Sequence, residues 1–404
     1  MPAPRVTIVT SRLDIGGAER HLARVLPALK RRGIDVTVYA MERGGCLEAE
    51  LVLHGVRVEG PRHGASLHWP RATLALAGFL RRERPSVLHF FLPRPYLFGS
   101  IAAELAGHRR RLMSRRSLAV YQGKYPLLRF AERFLHGRTF GLIGNSRAVL
   151  DELAAEVGDP RKLALIHNGI EMPAPVTLAD RLRVRQALGI GEDALVIVVV
   201  SNLIPYKGHH DLIDALGLAK DNMAKPWCVL VIGRDEGIGE ELKRRSEAFG
   251  IAANMLWLGE QVAAEPLLAA GDIFVLPSHE EGFSNALLEA MAAELAVIAT
   301  AVGGNLDAVV DEETGILVRP RDPRALAGAL TRLAADPTLR RRLAGAARNR
   351  VGQRFSLEKC VARYEKLYRA MNEPLAQPIA RVLADEATSH RSPSVAEYAS
   401  KHKG

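Results

Sequence analysis

Cysteine is scarce in this chain of 404 residues: Cys46, Cys228 and Cys360 stand far apart and are odd in number. No C-x-x-C pair exists, so neither a structural zinc site nor a disulfide framework is expected, and reduced thiols of a cytoplasmic protein are. Long hydrophobic runs are missing too. A membrane-spanning helix needs about 20 apolar residues. The nearest run, "FFLPRPYLFGSIAAELAG" (90–107), is interrupted by Pro93, Arg94, Pro95 and Glu104. The opening "MPAPRVTIVTS" reads as a strand and not as a signal peptide. Its apolar stretch is too short for one. Aromatic residues make up only 5 % and are not interleaved with the arginines, which argues against a nucleic-acid-binding protein. Neither G-x-G-x-x-G nor D-x-D occurs, so the usual dinucleotide fingerprint and the usual acidic metal holder are both absent.

What is present is charge of one sign in one half. Residues 1–170 carry 27 Lys and Arg against 14 Asp and Glu, a balance of +13, while the remainder of the chain balances at −3. A basic half favours an anionic partner: a phosphorylated substrate, a phospholipid surface or a nucleic acid.

Short apolar runs alternate with amphipathic stretches from the start. "RVTIVTS" and "DVTVYA" read as buried strands, and between them "GGAERHLARVLPALKRRG" reads as a helix with Leu22, Val25, Leu26 and Leu29 at helical spacing. The alternation continues through "PSVLHFF", "RRLMS", "GLIGNS" and "KLALIHNGI". Residues 172–190, opening with "MPAPVTLAD", read as a linker. The pattern then restarts with "ALVIVVVSN", "WCVLVIG", "NMLWLG", "IFVLPS" and "AVIAT". Strand–helix alternation of this kind predicts an α/β protein with parallel sheets. The expected organisation is two Rossmann-like domains, 1–171 and 191–355. A final helix over 356–372 follows, then a tail over 373–404 that is mostly disordered.

Open parallel sheets bind ligands beyond the carboxyl ends of their strands, and two such domains suggest a cleft between them. Three glycine-bearing turns sit where such a ligand would lie. "DIGGAER" places Gly16 and Gly17 between a strand and a helix start, where backbone N–H groups can meet an anion. "SNLIPYKGH" places Lys207 and Gly208 after the most hydrophobic strand. "HEEGFSNALLEAMA" (279–292) places Glu281 before a helix start and Glu289 inside the helix, with the backbone of Phe283, Ser284, Asn285 and Ala286 between them. A carboxylate takes paired hydrogen bonds from sugar hydroxyls, so the pattern suits a nucleotide sugar better than a plain nucleotide.

These three stretches, in this order, resemble the family-four glycosyltransferases, retaining enzymes of GT-B fold. The resemblance spans about residues 5–372. It is most specific over "PSHEEGFSNALLEAMAAELAVIATAVGGNLDAV" (277–309), which is similar to the E-x7-E region of that family, with "VVVSNLIPYKGH" and "LIHNGIE" as further matches. It implies two domains facing across a cleft, with the last helix returning to the N-terminal domain. It implies that Glu289 holds the donor ribose, that Glu281 lies near the donor sugar, and that Lys207 meets the diphosphate. Gly282 and the backbone of 283–286 would meet phosphate or sugar. Gly16 and Gly17 would line the cleft from the other side, and strand ends at Gly233 and Gly259 would flank the base.

Two positions depart from the family pattern. Ser201–Asn202 stands where many members carry Gly–Arg, which leaves Arg234 or Arg12 to supply the missing charge. No histidine is visible where many members place one near the reacting sugar, so Arg115, Arg116 and His89 are the acceptor-side candidates. The reaction expected is transfer of a sugar from a nucleotide-diphospho-sugar, a UDP-sugar, to an acceptor hydroxyl with retention, without a metal or other cofactor. The acceptor would be a glycan or lipid-linked glycan of cell-surface polysaccharide or glycolipid synthesis. The enzyme would then be cytoplasmic or peripheral at an anionic inner membrane face. A nucleotide-sugar epimerase and a non-catalytic sugar-nucleotide-binding protein are the rival readings.

Overall fold

The computed structural model describes residues 3–62, 69–120, 125–223, 226–373 and 377–384, with Gln122 and Tyr398. The chain divides into two compact units, Met1–Gly169 with Leu357–Arg391, and Ile170–Ser356 with Ser392–Gly404.

The first unit is built on seven strands: β1 (Arg5–Thr10), β2 (Asp35–Ala40), β3 (Arg57–Glu59), β4 (Val87–Phe91), β5 (Arg111–Arg115), β6 (Gly141–Gly144) and β7 (Leu163–Leu165). They pair in parallel in the order β3-β2-β1-β4-β5-β6-β7. Side chains alternate across the sheet. Leu88 and Phe90 of β4 therefore pack on one face against Leu76 and Leu80 of the helix Trp69–Glu83. Val87 and Phe91 pack on the other, with Leu22, Val25, Leu26 and Leu29 of the helix Gly17–Arg31. That second face is completed by the helix Leu357–Asn372, which buries Cys360, Val361, Tyr364, Leu367, Tyr368 and Met371 there.

The second unit has six strands: β8 (Leu195–Val200), β9 (Trp227–Ile232), β10 (Met255–Gly259), β11 (Ile273–Leu276), β12 (Ala296–Thr300) and β13 (Ile316–Val318). Their order is β10-β9-β8-β11-β12-β13, again all parallel. The valine-rich β8 is buried on both faces, as the strand of a sheet covered by helices on two sides must be.

One stretch differs from the sequence expectation. Within the expected linker, Leu178–Ala187 is a helix of the second unit, started by a capping box in which Thr177 and Asp180 bond reciprocally. Its buried group is Arg185, which donates to Asp272 Oδ2 at 2.9 Å and to the carbonyls of Ala270 and Ala194. The tail 373–404 lies mostly outside the described residues. Within it Ile379–Val382 is a short helix with Ile379 fully buried, and the buried Tyr398 hydroxyl donates to Leu317 O at 2.7 Å.

Candidate active site

Strand order reverses its direction of growth between β8 and β11, and the loops leaving these two neighbours diverge there. Such a switch point is where parallel sheets open a ligand crevice. The β8 loop turns through Pro205–Lys207 into Gly208, and the β11 loop runs through Ser278–Ser284 into the helix Asn285–Ala292. Gly208 has φ +72, and a Cβ there would lie 2.0 Å from Pro277 O, so only glycine lets the loops meet. His279 N donates to Tyr206 O at 2.8 Å, and the His279 ring bonds Asp211 at 2.8 Å. Gly304 N donates to Glu281 O at 3.2 Å and braces the β11 loop from the β12 side.

This bracing brings Lys207 and Glu281 together. Lys207 Nζ donates to Glu281 Oε2 at 2.7 Å, and Ser278 Oγ donates to the same oxygen at 3.3 Å. Both charged side chains are largely covered, at 17 % and 11 % exposure. Burial alone would lower the lysine pKa, but the attraction and hydrogen bond of Glu281 outweigh it, so the ammonium sits above its ordinary value. It is therefore a fixed positive charge at the switch point. Ser284 caps the following helix by accepting from Leu287 N at 3.3 Å. Phe283 turns its ring into the core against Phe355. Glu289 lies on the second turn of that helix and is buried.

The neighbouring strand ends are joined as well. Gly233 N donates to Gly259 O at 2.9 Å, and Gly233 at φ +156 passes so near Ser201 O that a Cβ would come within 2.0 Å. Asn202 lies beside them. Its Nδ2 donates to Glu236 Oε1 at 3.2 Å and its Oδ1 accepts from Arg234 N at 3.3 Å. The Arg234 guanidinium bonds Glu236 and stands 3.9 Å from Glu260. His209, pushed down to about 4 by burial and thus neutral at pH 7, holds the loop through Ser201 Oγ at 3.1 Å and Asn202 O at 3.2 Å.

In the first unit the reversal falls between β1 and β4. Gly16 is the N-cap of the helix Gly17–Arg31, and neither Gly16 nor Gly17 has a positive φ. A Cβ on Gly16 would meet Glu19 Oε2 at 2.3 Å, because the Glu19 carboxylate folds back over the helix start. A Cβ on Gly17 would meet nothing within 4 Å. After β4, Leu92 takes φ 75 and ψ 154, a strained conformation for a branched side chain. Arg116 Nη2 donates to Asn168 Oδ1 at 2.6 Å, with its guanidinium over the Phe91 ring.

Two models match the chain: that described as glycosyl transferases group 1 over residues 180–350, and that described as glycosyltransferase family 4 over residues 15–172. A D-inositol 3-phosphate glycosyltransferase of Geodermatophilus obscurus is 34% identical over 395 residues, covering 90% of this chain and 86% of the relative. The chain is a family-four glycosyltransferase. It is also 27% identical over 358 residues to the lipopolysaccharide core biosynthesis glycosyltransferase LpsE of Rhizobium meliloti, covering 87% of this chain and 95% of that one. Its fold is that of Anabaena HepE, solved in complex with UDP: TM-score 0.79, 21% identity, 89% of this chain and 98% of that one. With its two parallel-sheet units, this glycosyltransferase has the GT-B fold.

The family-four sequence pattern named residues that the second unit gathers at one edge: Lys207, Glu281, Gly282, Asn202, Gly233 and Arg234 lie on the loops leaving β8, β9 and β11, with Glu289 in the helix behind. Two acceptor-side candidates are corrected. Arg115 is 1 % exposed at its side chain and forks onto both oxygens of Glu156, at 2.7 and 2.8 Å, with Glu132 at 3.3 Å. His89 has no exposure, and its two nitrogens bond Tyr368 OH at 2.7 Å and Ser114 Oγ at 2.8 Å. Burial and the nearby Arg116 push its pKa down to about 3, so it is a neutral core histidine. Arg12, offered as a substitute charge, is engaged within its own loop by Asp14 at 3.1 Å.

Glu132, His136 and Glu156 are close enough to hold a metal ion, and are the sole such group of three among the described residues. They do not fit one. The Arg115 guanidinium already bonds both carboxylates, so a cation fills the place. Sequence reasoning missed Ser278, His209 and Asp211, which position Glu281, Asn202 and His279. Two of these lie in the quoted motifs, and their spacing from the site could have marked them.

Proposed function

We propose that this glycosyltransferase moves a hexosyl group from a UDP-sugar to an acceptor hydroxyl with retention, needing no metal, in the synthesis of a cell-surface glycan or glycolipid. The observation that carries this reading is the Lys207–Glu281 pair, 2.7 Å apart at the switch point of the second sheet. A diphosphate arriving there meets an ammonium that is already fixed and charged. As the bond from the anomeric carbon to the phosphate oxygen breaks, Lys207 and the backbone at the start of the helix Asn285–Ala292 stabilise the charge left on the diphosphate. Glu289 accepts from the ribose hydroxyls, and Glu281, bridged between Lys207 and Ser278, orients the sugar. For retention, the acceptor oxygen attacks the face the diphosphate leaves, and its proton passes to the departing phosphate oxygen. Support for the donor comes from HepE, solved with UDP and with UDP-glucose. Support for the acceptor class comes from LpsE, whose name places it in lipopolysaccharide core biosynthesis.

The test is a screen of nucleotide sugars by thermal shift, followed by NMR of the product. A UDP-sugar should raise the melting temperature, and the product should keep the donor's anomeric configuration. Stabilisation by another nucleotide alone, or an inverted product, would overturn the donor or the stereochemical assignment. Loss of activity in chelator, restored by a divalent ion, would overturn the metal-free part.

A further inference from the structure

The helix Pro126–Arg138, which crosses over from β5 to β6, carries its apolar residues on the wrong side for a soluble protein. Leu127 is 87% exposed, Phe130 74% and Phe134 54%, and Tyr125 just before the helix is 61% exposed. Positions 127, 130 and 134 follow helical spacing, so they form one stripe on the outward face. The inward face is held by Glu132, Leu135 and His136, all buried. A surface helix of a soluble protein shows the reverse arrangement.

Charge completes the picture. The same helix exposes Arg129, Arg133 and Arg138, and Arg138 lies over the Phe134 ring with 3.8 Å to its centroid. Its one acid, Glu132, is fully buried and bonded to Gln122 and Arg115, so the outward face is apolar and cationic with no negative charge of its own. An apolar stripe flanked by arginines is the chemistry of a helix lying in the headgroup plane of an anionic bilayer, with aromatic rings at the acyl boundary and guanidinium groups on lipid phosphates.

The basic clusters Lys30–Arg32, Arg81–Arg84 and His108–Arg116 of the same unit are poorer candidates. Arg32 is paired with Glu365 at 3.0 Å, Arg111 with Glu104 at 2.7 Å, Arg110 donates to Met371 O, and Arg115 is buried. Arg81 donates to the Leu105 carbonyl. These arginines are engaged within the first unit, and among the described residues no stripe of three exposed apolar side chains accompanies them as it does on Pro126–Arg138.

We infer that the helix Pro126–Arg138 is a membrane-docking face that inserts Leu127, Phe130 and Phe134 into a bilayer containing anionic lipid. It deepens the proposed role in glycolipid synthesis and rests on that reading only for its purpose. The helix enters its crossover from the carboxyl end of β5, so its Tyr125 end lies toward the edge of the first sheet that carries Gly16 and Arg116. Docking would hold that edge near lipid.

The experiment is co-sedimentation of the full chain with vesicles of phosphatidylglycerol in phosphatidylcholine and with phosphatidylcholine alone. Wild-type chain should pellet with the anionic vesicles only, and less as salt rises. F130S/F134S should bind at least about tenfold more weakly, since two exposed rings lose their burial in lipid. R129Q/R133Q should lose about thirtyfold on the anionic vesicles. Both variants alter exposed side chains, so thermal stability and stabilisation by UDP should match wild type. Three results overturn the inference: wild type that ignores anionic vesicles, variants that bind as well as wild type, or a wild-type dimer that F130S/F134S converts to monomer. Loss of sugar transfer with vesicle binding intact would count against the proposed function and leave this surface standing.

Discussion

At the scale of single residues, the site is a matter of which side chain is held and which is left facing ligand. Arg115 and Arg116 are neighbours, yet one is locked in a buried fork with Glu156 and the other lies at the strand's end beside Asn168. Successive positions of a strand point to opposite faces, and a run of arginines does not announce which is which. The Lys207–Glu281 pair has the same lesson in reverse. Their spacing in sequence is 74 residues, but each sits in a glycine-bearing turn after a strongly apolar run, so both were legible. Lys207→Ala should lower kcat by more than about tenfold, the loss of one charged hydrogen bond in the transition state, and should also lower the melting temperature, because it leaves the largely covered Glu281 carboxylate without its counter-charge. Unchanged kcat would remove Lys207 from the chemistry. Glu289→Ala should raise the donor KM about tenfold or more while kcat falls less, on the same scale for a charged hydrogen bond. Steady-state kinetics against donor concentration separates the two. A KM equal to wild type would place the ribose elsewhere.

At the scale of elements, strands were the readable part. β8 and β11 are unbroken apolar runs because both faces of each are covered. Two helices that the sequence pattern does not show have a buried face that is not a plain apolar stripe. Leu178–Ala187 buries Arg185, and Pro126–Arg138 buries Glu132 and His136 while exposing its rings. A search for apolar periodicity finds neither. Asp272 holds the first of these helices in place, accepting from Arg185 at 2.9 Å, from Arg181, and from Val196 N at 2.8 Å. Removing that carboxylate leaves a buried guanidinium without its counter-charge. Asp272→Ala should therefore destabilise the chain by about 3 kcal/mol or more, read as a fall in the urea midpoint. A change within error would mean that the carbonyls around Arg185 suffice.

At the scale of the whole molecule, neutral buried histidines set the response to acid. His89 and His209 are pushed down to about 3 and about 4 by burial, while in the unfolded chain they titrate near 6.5. Between those values the unfolded chain binds more protons than the native one, so stability is full above about pH 6.5 and declines as pH falls. Each group contributes a slope on the order of 1.4 kcal/mol per pH unit. Glu156 adds to the loss at lower pH. Burial would raise it, but hydrogen bonds from His136 and Arg115 overcome that and bring it down to about 2, so its contribution is lost from about pH 4.5 downward. The melting temperature should fall steadily from pH 6.5 to 4. A flat profile over that range would mean that the two histidines open to solvent before they titrate.

The first unit is not one continuous stretch of chain. Its last helix, Leu357–Asn372, supplies Tyr368 to His89 and the Tyr364 ring that lies against His21, and it is separated from Gly169 by the entire second sheet. A ribosome makes the first seven strands and then, at about 5–20 residues per second, spends roughly 10–40 s on the second unit before the missing wall emerges. During that interval the cavity around His89 and Phe91 has no lid, whereas the second unit has nearly all of its own chain in hand by residue 356. Birth order thus does not set the order of folding: the part synthesised first waits for its wall until the second sheet is complete. Nascent chains released just before residue 357 should show the second unit protected from protease and the first still open to it.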